Sequence, residues 1–230
     1  MNKRQLVRAV LPVTVACVIL FPLLCGAIHD PPGTQANSGI VYSGDVKMFA
    51  VVENANPAIW LYSVNEYTGA MDVKGHSLLG GYNLDYYCMI KISPADYTHK
   101  YLMLKTSCDF YYGMSAGWLA GAAWWLRYTV FDMNGYPIRC VGWTQWYKSV
   151  SVSWGGYLDN QYYHTLDTYY PLYRDLDRWV YYYEFSPSYW YYVGIWLRLS
   201  LTNAADIYKT SYGSGMADWN VYSISWMFFE

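Results

Sequence analysis

The chain has 230 residues and a formal charge of −2, and only 14% of its residues are charged against 20% aromatic. So few charges and so many rings exclude a disordered chain. No clustered Lys/Arg run is present, which excludes nucleic acid as a partner, because phosphate binding needs such clusters.

Lys3, Arg4 and Arg8 precede an apolar run from Val10 to Leu24, and Cys25-Gly26-Ala27 ends it with small residues. This pattern predicts a secretory signal over residues 1–27 and an extracellular or cell-surface location. The run is too short to span a bilayer, so membrane contact is expected through this segment alone. Removing it takes away three positive charges and no negative ones, which moves the formal charge from −2 to −5. Residues 28–39, broken by Pro31, Pro32 and Gly33, read as an extended N-terminal arm, and residues 40–230 as one domain.

Strands are expected over Ile40–Glu53 and Ala58–Val64, followed by an irregular stretch over Ala70–Asn83. Tyr86–Ile92 and Tyr101–Cys108 read as an antiparallel pair. Phe110–Leu126 carries Gly113, Gly117 and Gly121 and no charge. It reads as a glycine-rich loop, with a packed helix or a membrane segment as the other readings. Ala122–Asp132 and Tyr136–Trp146 predict a hairpin through Asn134-Gly135, a pair suited to a type I′ turn. Ser149–Trp154 is a further strand, and Asp159–Arg178 reads as a long loop.

The strongest signal comes last. From Tyr191 to Leu201 the odd positions are Tyr, Val, Ile, Leu, Leu, Leu, while Tyr192, Gly194, Trp196, Arg198, Ser200 and Thr202 alternate with them. A period of two over a dozen residues predicts a long strand with one aliphatic and one mixed face. Asn220–Phe229 alternates in the same way. About ten strands without an amphipathic helix predict an all-β fold, an antiparallel β-sandwich of jelly-roll type, with a closed barrel as runner-up.

Several residue sets bear on chemistry. Gly113-Met114-Ser115-Ala116-Gly117 matches the G-x-S-x-G nucleophile elbow of a serine esterase, but the parallel sheet that such an elbow requires is missing. Catalysis is not expected. Asp159, Asp167, Asp175 and Asp177 share one expected loop and offer oxygen ligands to Ca²⁺, without an EF-hand spacing; no other cofactor is implied. Cys88, Cys108 and Cys140 allow one disulfide, of undetermined pairing, in an oxidising compartment.

The chain holds 28 Tyr and 12 Trp. Tyr162, Tyr163, Tyr169, Tyr170, Trp190, Tyr192 and Trp196 are candidate ligand-binding rings, because adjacent aromatics on a strand point to opposite faces and some must leave the core. Two functions follow. The first is a structural or adhesive surface protein that self-associates by strand exchange, with the N-terminal arm donated to a neighbour. The second is a carbohydrate-binding module using Tyr and Trp as platforms for polysaccharide.

Overall fold

The structure, a computed structural model, describes residues 30–117, 119–138, 140–141, 145–152, 158–167, 180–208 and 216–230. The expected signal, residues 1–27, lies outside them. Pro31–Glu230 form one compact unit.

Two sheets face each other across a single core. The six-stranded sheet holds β1 (Thr34–Gln35), β3 (Met48–Glu53), β6 (Gly81–Ser93), β8 (Ala120–Asp132), β10 (Gln145–Val152) and β13 (Tyr191–Thr202). The nine-stranded sheet holds β2 (Ser38–Tyr42), β4 (Trp60–Asn65), β5 (Ala70–Ser77), β7 (His99–Ala116), β9 (Cys140–Val141), β11 (Leu158–Asp167), β12 (Val180–Phe185), β14 (Ala205–Tyr208) and β15 (Ala217–Phe229). The fold is all-β, and the sheets do not close into a barrel.

β13 lies where its alternation places it. It pairs antiparallel with β6 and with β8 along its whole length. Val193, Ile195, Leu197, Leu199 and Leu201 are all fully buried. β15 crosses the opposite sheet beside β7 and turns Trp219, Val221, Ile224, Trp226 and Phe228 to the same core. At roughly 1.5–3 kcal/mol for each large apolar side chain removed from water, these two strands supply much of the driving force.

Aromatics fill the space between the sheets. Phe110 and Tyr112 of β7 meet Trp124 of β8 edge-on at 5.7 and 5.6 Å, and Trp219 lies 5.1 Å from Phe110. Two of the buried phenols, Tyr86 and Tyr128, have hydrogen-bond partners that offset their desolvation. Tyr86 donates to the Gly69 carbonyl at 2.7 Å, and Tyr128 accepts from the Thr106 amide at 2.9 Å. Many of the rings are therefore core, not surface.

Residues 34–42 bind the two sheets together at their edges. β1 runs parallel to the end of β6, and β2 runs antiparallel to β15. Between them, the Asn37 carbonyl accepts from the Phe228 amide at 2.7 Å, and the Ala36 carbonyl accepts from Trp226 Nε1 at 3.2 Å. Gly39 is required here, since a Cβ would fall 2.4 Å from the Trp226 ring.

Several expectations are corrected. Ala70–Ser77 is a strand, not irregular; Met71, Val73 and Ser77 are buried, and Gly75 leaves room for the Trp60 ring. The described residues of Phe110–Leu126 are mostly strand, not a loop or a helix. β7 continues to Ala116 in one sheet, and β8 begins at Ala120 in the other, directly after Leu119 at φ 53°.

The 122–146 hairpin opens with a different turn from the one expected. Only Gly135 is left-handed, at φ 78°, and its amide donates to the Asp132 carbonyl. Asp132 Oδ1 also accepts from the Asn134 and Tyr136 amides, so the side chain holds a three-residue turn with glycine at its end. The strand expected over 136–146 is split, because β9 pairs with β12 in the other sheet before β10 rejoins β8.

Asp159–Asp167 belongs to β11, paired with β7, and not to a loop. Asp159 and Asp167 stand at opposite parts of that strand, about 26 Å apart at 3.3 Å per residue, so one ion cannot join them. Asp175 and Asp177 lie outside the described residues. Cys88 on β6 and Cys108 on β7 are buried thiols with no disulfide. Burial pushes the Cys88 thiol up to about 12. The Cys140 side chain lies outside the description.

Candidate functional site

The outer face of the six-stranded sheet is built by the residues that alternate with the core. Along β13 these are Tyr192, Gly194, Trp196 and Arg198. Register places Tyr87 and Arg127 on either side of Trp196, and Asp85 and Trp125 on either side of Arg198. One turn of the pleat away, Lys91 and Phe131 flank Tyr192.

Asp85 is the fixed point of this face. It is fully buried, and Arg198 grips it through Nε to Oδ1 at 2.5 Å and Nη2 to Oδ2 at 2.8 Å. Trp196 Nε1 donates to Oδ1 at 2.8 Å, and Asn54 Nδ2 to Oδ2 at 2.7 Å. The hydrogen bonding to Asp85 holds the Arg198 guanidinium above its ordinary range. Burial, and then the negative charge of Asp85, raises Glu53 on the next strand. Burial, followed by Asp85 and Glu53, pushes Tyr87 up to about 12.

The rings are locked by their neighbours. Tyr87 stacks on Trp196 at 5.8 Å with planes 9° apart, and the Arg127 guanidinium lies 3.7 Å from the Trp196 centroid on the side of β8. Trp196 therefore presents its edge outward. Tyr87 also reaches Phe131 edge-on at 6.0 Å, diagonally across Gly194. Tyr192 meets Phe49 edge-on at 5.9 Å, and Lys91 Nζ stands 5.8 Å from Tyr192 and 5.6 Å from Trp190. The result is a half-buried aromatic layer interleaved with cations and one anchored carboxylate.

Of the rings named from sequence, this face brings together Tyr192 and Trp196, with Trp190 at its margin. Tyr162 and Tyr163 lie on β11 of the other sheet, paired with Tyr112 and Tyr111, with side chains outside the description. Tyr169 and Tyr170 lie outside the described residues. Sequence reasoning missed Asp85, Tyr87, Trp125, Arg127 and Phe131. The one available signal was the mixed face of β13, because partners on β6 and β8 are set by long-range register.

Ser115 sits in the straight run of β7, 1% exposed, and not in a strand–turn–helix elbow. Its hydroxyl donates to Asp206 Oδ2 at 3.3 Å, while His76 Nδ1 meets the other oxygen of that carboxylate. A serine nucleophile needs the imidazole on its own oxygen. Here the carboxylate lies between them, so the trio is a cross-strand polar ladder. Among the described residues no cluster of three metal-ligating side chains occurs.

No protein-family model matches the chain, and no curated protein does. Among solved structures, the enzymatically active domain of bacteriophage CBA120 tailspike protein 4 is 9% identical with a TM-score of 0.23. The match covers 84% of this chain but 19% of that one. The module TmCBM61, solved with β-1,4-galactotriose, is 14% identical at a TM-score of 0.22, covering 82% and 90% of the two chains. The family 11 carbohydrate-binding module of Clostridium thermocellum is 10% identical at 0.18, covering 74% and 98%. Likenesses at this level carry no argument about function.

Proposed function

We propose that the protein is an extracellular carbohydrate-binding β-sandwich whose ligand lies on the outer face of the six-stranded sheet. One observation carries this reading: Tyr87, Trp125, Phe131, Tyr192 and Trp196 stand half-buried on a solvent-side face, interleaved with side chains of fixed hydrogen-bonding direction. Sugars have both apolar C–H faces and rings of hydroxyls. A surface that recognises them combines aromatic area with planar polar groups. Asp85 is buried and holds Arg198 in place, so the partly exposed Arg198 guanidinium needs no ordering when a ligand arrives. Export through residues 1–27 puts this face among cell-surface and environmental glycans.

Affinity electrophoresis of the purified protein against a panel of soluble polysaccharides tests this. Retardation by at least one polymer, weakened in Trp125→Ala, is expected. Retardation by none overturns it.

A second reading, surface assembly by strand exchange, draws support from residues 34–42. They bind at the edges of both sheets, and the same contacts made to a neighbouring copy would link protomers. Concentration-dependent oligomers in size-exclusion chromatography are its expected sign, and a monomer at high concentration ends it.

A further inference from the structure

We propose that one end of the sandwich docks on a lipid surface by inserting Leu78, Leu79 and Leu119 into it. This end lies apart from the outer face of the six-stranded sheet, and the proposal stands without the carbohydrate reading. Leu78 and Leu79 lie in the connection from β5 to β6, and Leu119 in the connection from β7 to β8. Strand register brings the two together with the turn from β13 to β14. Thr202 pairs with Gly81 on one side and Gly121 on the other, and Ala205 pairs with Ser77 and Ala116. Leu78, Leu79 and Leu119 are 68%, 79% and 52% exposed. A single exposed leucine is ordinary, but three on adjoining tips make a patch.

Leu119 is held at φ 53°, a left-handed conformation that bulky side chains rarely adopt and that Gly or Asn takes readily. The neighbouring turns follow that preference, with Gly80 at φ 91° and Asn203 at φ 55°. A leucine that is both strained and exposed contributes little to the core, so its use lies in what it meets outside.

The chemistry of the tips selects a bilayer as the occupant. Residues 77–81, 119–121 and 202–205 include no charged side chain. Backbone groups that enter lipid must find their partners within the protein. Here the Gly80 carbonyl accepts from the Asn203 amide at 2.7 Å, and the Leu119 carbonyl from Asn203 Nδ2 at 2.5 Å. The Ala204 carbonyl accepts from the Gly117 amide at 2.7 Å, and the Gly121 carbonyl from the Thr202 hydroxyl at 3.1 Å. Behind the tips the half-buried Tyr82 ring packs beside Gly80, where an amphipathic ring suits a membrane–water boundary.

A second copy of the chain fits less well. The three leucines together expose about the surface of two whole leucine residues. That is well below the ~800 Å² that each partner of a stable protein interface buries. A bilayer needs no complementary shape, and a small apolar area is enough for reversible binding to it.

The test mixes the full chain with phosphatidylcholine vesicles, with and without phosphatidylglycerol, and reads binding by flotation. Residues 1–27 contain an apolar run of their own and are common to every variant, so the deciding readouts are the effect of substitution and the carbene footprint. Leu78→Ser, Leu79→Ser and Leu119→Asn combined should lower partitioning ten-fold or more. Leu119→Asn alone should lower it about three-fold with no loss of thermal stability, because Asn accepts the left-handed φ. Vesicles should protect all three leucines from labelling and leave Met133 and Tyr136, at the opposite end, unchanged. Absence of binding overturns the proposal, as does binding that the triple variant retains while the leucines stay labelled. Binding that requires phosphatidylglycerol and disappears in high salt overturns it too. Protection of the leucines without vesicles, rising with protein concentration, would assign the patch to a second copy and overturn the lipid occupant.

Discussion

Arg198 closes a two-point hydrogen bond on Asp85 across neighbouring strands, at 2.5 and 2.8 Å, and thereby fixes a carboxylate that has no exposure to solvent. The two residues lie 113 positions apart in the chain. Trp196 and Asn54 complete the same carboxylate.

Asp85→Asn keeps the shape, removes the charge that pairs with Arg198, and puts an NH2 in place of one of the two oxygens that together accept four hydrogen bonds. Breaking a buried charge pair from one side costs about 3–5 kcal/mol. Because Arg198 is partly exposed and water can take its charge, about 2–3 kcal/mol is expected in urea unfolding. Adding Arg198→Leu to Asp85→Asn should cost less than the two separate losses together.

Glu53 gives a pH-dependent signature. Burial and Asp85 raise its folded-state affinity for the proton, so its favourable contribution is complete at low pH. That contribution is lost as pH rises through the raised value. Glu53→Gln is therefore expected to be more stable than the parent at pH 7, by less than about 1 kcal/mol because solvent screens a half-buried group. The difference should vanish toward pH 4. Denaturant midpoints at the two pH values measure it.

Gly194 and Gly135 separate two uses of glycine. A Cβ on Gly194 would sit 2.0 Å from the Cys88 carbonyl oxygen, so the central strands must part. Gly194→Ala should cost about 2–3 kcal/mol, as overpacking does. At Gly135 nothing lies within 4 Å, but φ is +78°. Gly135→Ala should cost only about 1–2 kcal/mol, the strain of a left-handed residue.

Cys88 and Cys108 should resist iodoacetamide at pH 8 in the folded protein, and both should label fully in denaturant. For Cys88 the cause is burial, which pushes the thiol up to about 12 and leaves almost no thiolate. Mass spectrometry before and after unfolding reads the difference.

How much of this was legible in the sequence depended on whether the signal was local. β13 was readable to the residue because aliphatic side chains alternate without interruption from Tyr191 to Leu201. β5 was not, because Gly75 and Ser77 take inward positions and break the hydrophobic alternation. The Gly113–Gly121 stretch misled because Gly113 lies inside β7, where it makes room for the Tyr208 ring, and Gly121 lies inside β8, whereas Gly117 falls just after the end of β7. Asn134-Gly135 marked a turn correctly, but Asp132 selected its type. In the candidate site, Trp196 and Tyr192 were visible as rings on the mixed face of β13. Asp85, Tyr87 and Arg127 join them only through the registers of β6 and β8, and no local pattern encodes those.

The most direct test is carbene footprinting of the protein with and without a saturating polysaccharide that it binds. Protection is expected at Trp125, Tyr192 and Trp196, with Tyr101 and Tyr222 of the nine-stranded sheet unchanged. Protection at Tyr101 and Tyr222, with Trp125 and Trp196 labelled as before, would contradict the account.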